Sequence, residues 1–225
     1  MEKLSKAQKI FWRLYYYIFV ERFNKKLTFD FERNIYRWDL FEQLHKKYNF
    51  QTYLEIGCDK DQLFSKVDIS EKVGVDPYSG GNVRKTSDDF FKENIKNFDF
   101  IFIDGLHEYN QVKKDILNSL TFLNNNGFIL VHDCLPSTLS SQAVPRYKMV
   151  WHGDVWKAIV DLRRDKNIDI HTCLVDAGIA IIQKKPNTQT LELNKNIKDL
   201  KFRDFYENHK NYMRIISYKE FKEMF

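Results

Sequence analysis

Four short apolar runs, each ending abruptly at a glycine, an aspartate or a histidine, constrain the fold of this chain more than any other feature. The runs cover residues 52–56, 72–76, 98–103 and 128–131. Short apolar strands separated by helical segments are typical of the parallel sheet of an α/β protein, whose ligands bind beyond the carboxyl ends of the strands. The pattern therefore directs one set of strand-end residues to a single crevice: Glu55, Gly57, Asp76, Asp104, His107, His132 and Asp133.

The segments between and around these runs predict the other elements of the fold. Residues 84–86 predict a poor additional strand, and residues 168–175 and 178–184 predict a hairpin. The polar segment 134–153 has the length of a functional loop. Apolar spacing and capping signals predict a helix beginning at Ser87 and helices over residues 5–26, 37–47, 61–67, 110–123 and 155–164.

Composition and charge limit the class of protein. A chain of 225 residues with 43% hydrophobic residues fits one packed domain rather than a disordered chain. Its 36 basic residues are interspersed with 31 acidic ones, without a basic run or a nucleic-acid motif, which argues against a nucleic-acid partner. The three cysteines, Cys58, Cys134 and Cys173, lack zinc-site spacing and fit packing residues in a reduced, cytoplasmic protein.

An aromatic and apolar segment, residues 10–20, stands near the N-terminus. It is shorter than the about 20 apolar residues that a bilayer span requires, and Arg13 interrupts it. Flanking lysines make a helix that lies on a membrane surface one interpretation. The other interpretation, which the sequence favours, is a helix that packs on the domain or on a second subunit. An exposed aromatic segment of this kind also predicts a homo-oligomer.

The loop after the first strand indicates which cofactor the crevice binds. Gly57 ends that strand and lets a ligand approach the backbone, and Asp76, nineteen residues later, stands where an acid often binds a ribose. The loop 57–61 has one glycine and two carboxylates, Asp59 and Asp61, which would repel a pyrophosphate. The electrostatics therefore favour a ribose ligand with positive charge, S-adenosylmethionine, over NAD.

Several motifs in order give the chain a family resemblance. It carries Ile-Asp-Gly-Leu-His at 103–107, Val-His-Asp at 131–133, Arg-Trp-Asp at 37–39 and Gly-Asp-Val-Trp-Lys at 153–157. Over about residues 37–185 the chain resembles a class I S-adenosylmethionine-dependent methyltransferase. It is most similar to a branch found in bacterial glycan and natural-product pathways.

The resemblance implies a fold and a cofactor site. The fold is a Rossmann-like sandwich with a mostly parallel seven-stranded sheet, the last strand antiparallel. A helical extension (1–48) would precede the catalytic domain (49–188), and a partly helical tail (189–225) would follow it. The cofactor residues implied are Glu55 and Gly57 at the methionine end, Asp76 at the ribose, Ser87 and Asp88 near the adenine, and also Asp104.

Methylation of a hydroxyl requires a general base, a metal, or both, because the alcohol attacks well only as it loses its proton. Asp104, His107, His132 and Asp133 could bind a divalent cation. The resemblance implies catalysis by Asp104 and His107, with His107 as the base, and a metal on Asp104, His132 and Asp133. Histidine stands at position 132, where the branch often has an acid, so magnesium, manganese and no metal all stay open.

The acceptor is predicted from aromatic and cationic side chains near the crevice. Trp38, Arg146 and Trp151 suit a sugar or sugar derivative, although a phenolic ring would also suit them. The sequence therefore predicts O-methylation of a carbohydrate or glycan precursor. The alternatives left open are an N-methyltransferase or a metal-dependent hydroxylase on this fold, and a non-catalytic scaffold.

Overall fold

One seven-stranded sheet organises the computed structural model, which describes residues 4–225. The order of its strands in space is β2-β1-β3-β4-β6-β5-β7. In chain order they are β1 (Thr52–Ile56), β2 (Glu71–Val75), β3 (Phe98–Ile103), β4 (Leu123–Val131), β5 (Ile168–Cys173), β6 (Ile179–Lys184) and β7 (Ile215–Ile216).

The pairing of the strands confirms the predicted Rossmann-like α/β fold. The pairs β1–β2, β1–β3, β3–β4 and β5–β7 are parallel, whereas β6 is antiparallel to both of its neighbours, β4 and β5. The predicted hairpin is β5–β6. The antiparallel strand is thus β6, and the seventh strand is a short addition from the C-terminal tail.

Helices cover both faces of the sheet. They are α1 (Lys6–Tyr15), α2 (Arg37–Tyr48), α3 (Ser87–Glu93), α4 (Tyr109–Thr121), α5 (Val155–Leu162), α6 (Phe202–Met213) and α7 (Tyr218–Met224). A π-helical turn, Tyr16–Val20, extends α1, and a 3₁₀ turn, Ile197–Asp199, precedes α6. Residues 189–225 include α6, β7 and α7, and the predicted loop 134–153 contains neither helix nor strand.

Two predicted elements are wrong. Residues 61–66 form turns instead of a helix, and Asp61, the first residue of the predicted helix, has a φ of 56°, which a right-handed helix cannot include. Residues 84–86 are not a strand, and the only pairing near them is an isolated bridge between Val75 and Val83. This short connection brings the end of β2 directly to α3.

Alternate side chains of the strands enter two hydrophobic cores, one on each face of the sheet. Leu54 and Ile101 pack with α3, α4, α5 and α6, whereas Tyr53 and Phe100 pack with α2 and α7. A strand buried on both faces is what makes each run continuously apolar. Because α2 and the tail helices contribute to these cores, they hold the sheet in place. The predicted domain bounds at residues 48 and 188 stay a prediction.

The N-terminal helix differs from its prediction in length and in packing. It ends at Val20 rather than residue 26, since the carboxylate of Glu21 accepts hydrogen bonds from Phe202 N and Arg203 N at the start of α6. No residue of α1 is buried, and the contact of this segment with the domain is made by Tyr16, in the π-helical turn, on Val144 of the loop 134–153. No helix within residues 4–225 is long and apolar enough to cross a bilayer. The three cysteines are free and buried, as predicted.

Candidate active site

The carboxyl ends of β1, β2 and β3 open into a cavity of about 550 Å³. This volume lies in the range of small-molecule and cofactor sites. The convergence predicted from the sequence is therefore observed for most of the strand-end residues. The predicted site residues that line the cavity are Gly57, Asp76, Ser87, Asp88, Asp104, His107, Arg146 and Trp151.

Gly57 turns the chain out of β1 at the floor of this cavity. Its φ is +86°, and a Cβ atom there would lie 2.3 Å from the carbonyl oxygen of Asp104. No other residue fits this position, because both the conformation and the close approach of the chain after β3 exclude a side chain.

Asp76 follows β2 and organises the two loops that flank it. Its Oδ2 accepts from the backbone N–H groups of Cys58 and Asp59 at 3.1 and 3.2 Å. Its Oδ1 accepts from those of Tyr78 and Ser79 at 2.7 and 2.9 Å. These four backbone donors fix the position of the Asp76 carboxylate at the cavity wall. The residue predicted to bind the ribose thus also holds the loops around the cavity.

The opposite end of the cavity is polar and centres on Gln111. Its Nε2 lies 3.2 Å from Ser87 Oγ, 3.1 Å from Asp88 Oδ1 and 3.0 Å from Asp115 Oδ1. Burial raises the pKa of Asp115 to about 6. Thr86, not Ser87, caps α3, which leaves the Ser87 hydroxyl to face the cavity. Gln111 and Asp115 were not predicted as site residues, and Asp115 lies on the buried face of α4 together with Val112 and Ile116.

The predicted site residues that do not line the cavity are Glu55, Trp38, His132 and Asp133. Glu55 is buried beneath it and accepts a hydrogen bond from the hydroxyl of Tyr53. Burial raises the pKa of Glu55 to about 8, so this carboxyl group is protonated at neutral pH. Trp38 stacks on Tyr36 at a centroid distance of 4.6 Å and packs against the core of the α2 face. Neither side chain reaches the cavity, so the cofactor role predicted for Glu55 and the acceptor role predicted for Trp38 gain no support from their positions.

His107 lies between two carboxylates at the cavity wall. Its Nε2 is 3.1 Å from Asp104 Oδ1, and its Nδ1 is 3.1 Å from Asp133 Oδ2 without hydrogen-bond geometry. The ring stacks on Trp151 at a centroid distance of 5.2 Å. Burial alone lowers the pKa of His107, but the hydrogen bond and charge of Asp104 outweigh it and raise the pKa above its ordinary value.

Asp104 receives polar contacts from three side chains. Besides His107, Nδ1 of His132 lies 3.1 Å from Oδ1, and Nη1 of Arg37 lies 2.7 Å from Oδ2. Burial raises the pKa of Asp104, but the charge of His132 and the hydrogen bond from His107 hold it well below its usual range. Asp104 is therefore ionised, and its charge is shared among the three partners.

Behind this carboxylate, Arg37 and Asp176 join His132 in a charged group, and neither Arg37 nor Asp176 was predicted as a site residue. Arg37 Nε donates to Asp176 Oδ2 at 2.7 Å, and Arg37 Nη2 lies 2.8 Å from His132 Nε2. Burial lowers the pKa of His132, yet Asp104 and Asp133 outweigh it and raise the pKa to about 10. A charged ring could not accept from Arg37 and would point its Nε2–H to Asp176 Oδ1, 3.6 Å away.

The fit of these residues to a divalent cation rests on three of them. Asp104, His107 and Asp133 each offer one ligand atom, and these atoms lie within 4.8 Å of one another. Two carboxylates and an imidazole suit manganese better than magnesium, which prefers oxygen ligands. His132 lies outside this set, since its nitrogens face Asp104 and Arg37. The residues present thus fit a cation, with His107 in the place predicted for His132.

The loop 134–153 forms the remaining wall of the cavity. It contributes Trp151 and Arg146, whose guanidinium lies 5.6 Å from the Trp151 ring centroid. Trp151 Nε1 donates to Ala143 O at 2.6 Å, which fixes the ring. Gly153 ends the loop at φ +60°, where a Cβ would lie 1.7 Å from the carbonyl oxygen of His107. The loop is therefore attached closely to the chain that bears His107.

Comparison with known proteins gives one family match and several related folds. The family described as "Methyltransferase domain" matches residues 23–134, which include β1 to β4 and the residues just after them. Cofactor-bound Rv0187 from MTB shares the fold, with a TM-score of 0.51 and 13% identity over 70% of this chain and 85% of that one. No curated protein matches the chain.

Two further solved structures are similar at lower TM-scores. A putative caffeoyl-CoA O-methyltransferase from Staphylococcus aureus has a TM-score of 0.49 and 21% identity, over 65% of this chain and 82% of that one. The MycE methyltransferase from the mycinamycin pathway, in complex with Mg, SAH and mycinamycin VI, has a TM-score of 0.44 and 13% identity. That alignment covers 69% of this chain and 51% of MycE.

Proposed function

Because this chain is an S-adenosylmethionine-dependent methyltransferase, we propose that it methylates a hydroxyl oxygen of a small acceptor, a sugar or sugar derivative. The cofactor would lie along the cavity, with its methionine end near Gly57, its ribose at Asp76 and its adenine near Ser87 and Asp88. The observation that carries O-methylation is the contact between His107 and Asp104 at the cavity wall.

This contact supports His107 as the general base. When Nε2–H is donated to Asp104, the lone pair of the neutral ring lies on Nδ1, a buried atom that has no hydrogen-bond partner among residues 4–225. The ring of His107 would take the proton of the acceptor hydroxyl as the hydroxyl oxygen attacks the methyl group, the bond from sulfur to that methyl breaks, and S-adenosylhomocysteine leaves as a neutral thioether. The carboxylate of Asp133, 3.1 Å from Nδ1, would then stabilise the imidazolium. General-base catalysis of this kind contributes about 10²- to 10⁴-fold to a rate.

The side chains at the loop wall support a polar acceptor with an apolar ring face. Trp151 presents an indole held by the Ala143 carbonyl, and Arg146 adds a cation beside it. A sugar ring can pack its C–H face on an indole while its hydroxyl groups bond to charged side chains. An anionic substituent on that sugar would suit Arg146.

A divalent cation would supply a second route to the same proton transfer. Asp104 and Asp133 would hold it, and it would polarise the acceptor hydroxyl and lower the pKa of that group. His107 cannot act as a metal ligand and as the base through the same nitrogen. The base role is preferred because Arg37 already neutralises Asp104 at the side away from His107.

The proposed function is tested in two steps. Isothermal titration with S-adenosylmethionine and with NAD, on the native chain and on Asp76→Ala, checks the cofactor. Transfer of a labelled methyl group is then measured across free sugars, nucleotide-linked sugars and phenols, with and without Mg²⁺ or Mn²⁺. We expect binding of S-adenosylmethionine alone and turnover of a sugar. Turnover of phenols with no sugar turned over would contradict the acceptor assignment.

Matched histidine variants separate the alternatives. His107→Asn should lose most of the turnover while cofactor binding is kept, and His209→Asn, on α6, should keep both. If His107→Asn retains nearly full rate, the acceptor is an amine, because N-methylation needs less help from a base. If the native chain binds the cofactor and methylates none of these acceptors, the scaffold alternative gains support.

A further inference from the structure

The N-terminal arm, defined here as residues 4–20, carries a large exposed apolar face. It consists of α1 and the π-helical turn that follows. Contiguous exposed apolar surface on this scale marks an interaction site. The exposed fractions of its apolar side chains are 73% for Phe19, 59% for Phe11, 57% for Ile10, 54% for Leu14, 52% for Ile18 and 51% for Tyr17.

The charges of the arm are all positive. Lys6, Lys9 and Arg13 lie on it, and Arg22, Lys25 and Lys26 follow directly. Glu21 is the one acid among residues 4–26, and its carboxylate is buried against the N-terminus of α6. A second copy docked symmetrically would bring the same cations together with no acid of the arm to pair them. The charge pattern therefore fits an anionic surface better than a copy of the arm.

A cavity between the arm and the loop 134–153 repeats this combination of cations and apolar walls. Its volume is about 620 Å³. Arg13 and Lys148 supply two cations at its wall, and Ile10, Leu14 and Leu139 supply apolar contacts. Such a site suits an amphiphile with an anionic head and a hydrocarbon chain.

We propose that the arm binds this protein to the surface of an anionic phospholipid bilayer. The arm lies in the interface, its aromatic face enters the boundary of the acyl chains, and its cations contact the headgroups, as in other amphipathic surface helices. The arm does not span the bilayer, in agreement with the absence of a membrane-spanning helix among residues 4–225.

The arm is also connected to the loop that walls the active site. The hydroxyl of Tyr16 donates to Val144 O at 2.6 Å and accepts from Val144 N at 2.7 Å. Its ring lies 5.6 Å from that of Tyr147, in the same loop as Arg146 and Trp151. A bilayer that holds the arm would therefore hold the loop near the surface where an amphiphilic acceptor is found.

Vesicle flotation of the full chain tests the proposal. Vesicles of phosphatidylcholine alone are compared with vesicles that also contain phosphatidylglycerol, at low and high salt. We expect flotation with the anionic vesicles only, and less of it at high salt, because salt screens the cations. Failure to float with anionic vesicles at low salt, or equal binding to both vesicle types at all salt concentrations, would overturn the proposal.

Two sets of variants test the face and the charges separately. Phe11→Ser with Phe19→Ser removes apolar contact, and Ile95→Ser, at a residue 93% exposed elsewhere, is its control. A triple variant with Lys6→Gln, Lys9→Gln and Arg13→Gln tests the charges. Its partition coefficient onto anionic vesicles should fall roughly a hundredfold, since each cation near an anionic surface raises that coefficient about fivefold. Its control removes the same charge at Lys210, Lys219 and Lys222.

The variants should fold normally, because α1 has no buried residue, and circular dichroism checks this. Unchanged flotation of both arm variants would overturn the proposal. A second outcome would also overturn the proposal. In it, light scattering gives the mass of two chains for the native protein and of one chain for the Phe11→Ser, Phe19→Ser variant, and vesicles do not compete with the second chain for the arm. In that case a second copy occupies the arm.

Discussion

The guanidinium of Arg37 lies 2.7 Å from Asp104 Oδ2 and joins the first turn of α2 to the residue that follows β3, 67 positions later. The same guanidinium bonds Asp176, which lies between β5 and β6. Three separate parts of the chain are thus held together at one cation. The carboxylate that faces His107 is kept ionised and oriented by an arginine from outside the strand-end motifs.

Removal of this cation should cost stability. Arg37→Gln leaves Asp104 and Asp176 charged with one donor fewer, and breaking a buried ion pair costs about 3–5 kcal/mol. Urea unfolding at neutral pH measures this difference. Arg33→Gln, at an exposed arginine of the same segment, is the control and should change stability by less than about 0.5 kcal/mol. Equal stability of the two variants would mean that the ion pair is not formed in solution.

The rate of methyl transfer should increase with pH in the range where His107 loses its proton. Because Asp104 raises the pKa of His107 above 6.5, the base is protonated and inactive at acidic pH. Asp104→Asn removes that charge, so the midpoint of the pH–rate profile should move down even though the maximum rate falls. Asp99→Asn, which alters a carboxylate at the opposite end of the sheet, should leave the midpoint unchanged. A midpoint that does not move in Asp104→Asn would contradict the assignment of His107 as the titrating base.

Glu55 should make the protein less stable as the solution becomes alkaline. Its pKa is about 8 in the folded chain and near 4.5 in the unfolded one, so the folded state holds a proton that the unfolded state has lost. The stability that this proton contributes is complete below pH 4.5 and is lost as the pH rises through 8. Because the side chain of Glu55→Gln stays neutral, the free energy of unfolding of this variant at pH 9 should exceed that of the native chain by up to a few kcal/mol. Urea unfolding at pH 5 and pH 9 measures this, with Glu42→Gln as an exposed control.

Tyr16 should control the order of the active-site loop. Tyr16→Phe removes both hydrogen bonds to Val144 and should lower stability by about 1–2 kcal/mol. The loop that carries Arg146 and Trp151 would then be less ordered, so KM for the acceptor should rise more than kcat falls. Steady-state kinetics and thermal unfolding measure the two effects. Tyr15→Phe, at an exposed neighbour, is the matched control, and the hypothesis fails if both variants behave alike.

Local sequence patterns were sufficient to predict the sheet and the residues that follow its strands at the site. Strands buried on both faces are visible in the sequence because most of their side chains are apolar. The direction of parallel strands then brings Gly57, Asp76 and Asp104 to one edge without further information. The helix predicted at 61–67 is wrong because the prediction rested on local propensity, whereas Asp61 at its start adopts a left-handed conformation.

What the sequence alone determined is the α/β sheet, the set of strand-end residues and the expectation of S-adenosylmethionine chemistry. Only the tertiary structure decided that Arg37 and Asp176 join this set, that Glu55 and Trp38 do not face the cavity, and that Gln111 and Asp115 do. The spacing of apolar residues depends on the backbone conformation of the helix or strand that contains them, so the sequence of that segment is enough to predict it. The partners of a charged side chain depend on which distant elements pack together, and that is settled only when the two cores form.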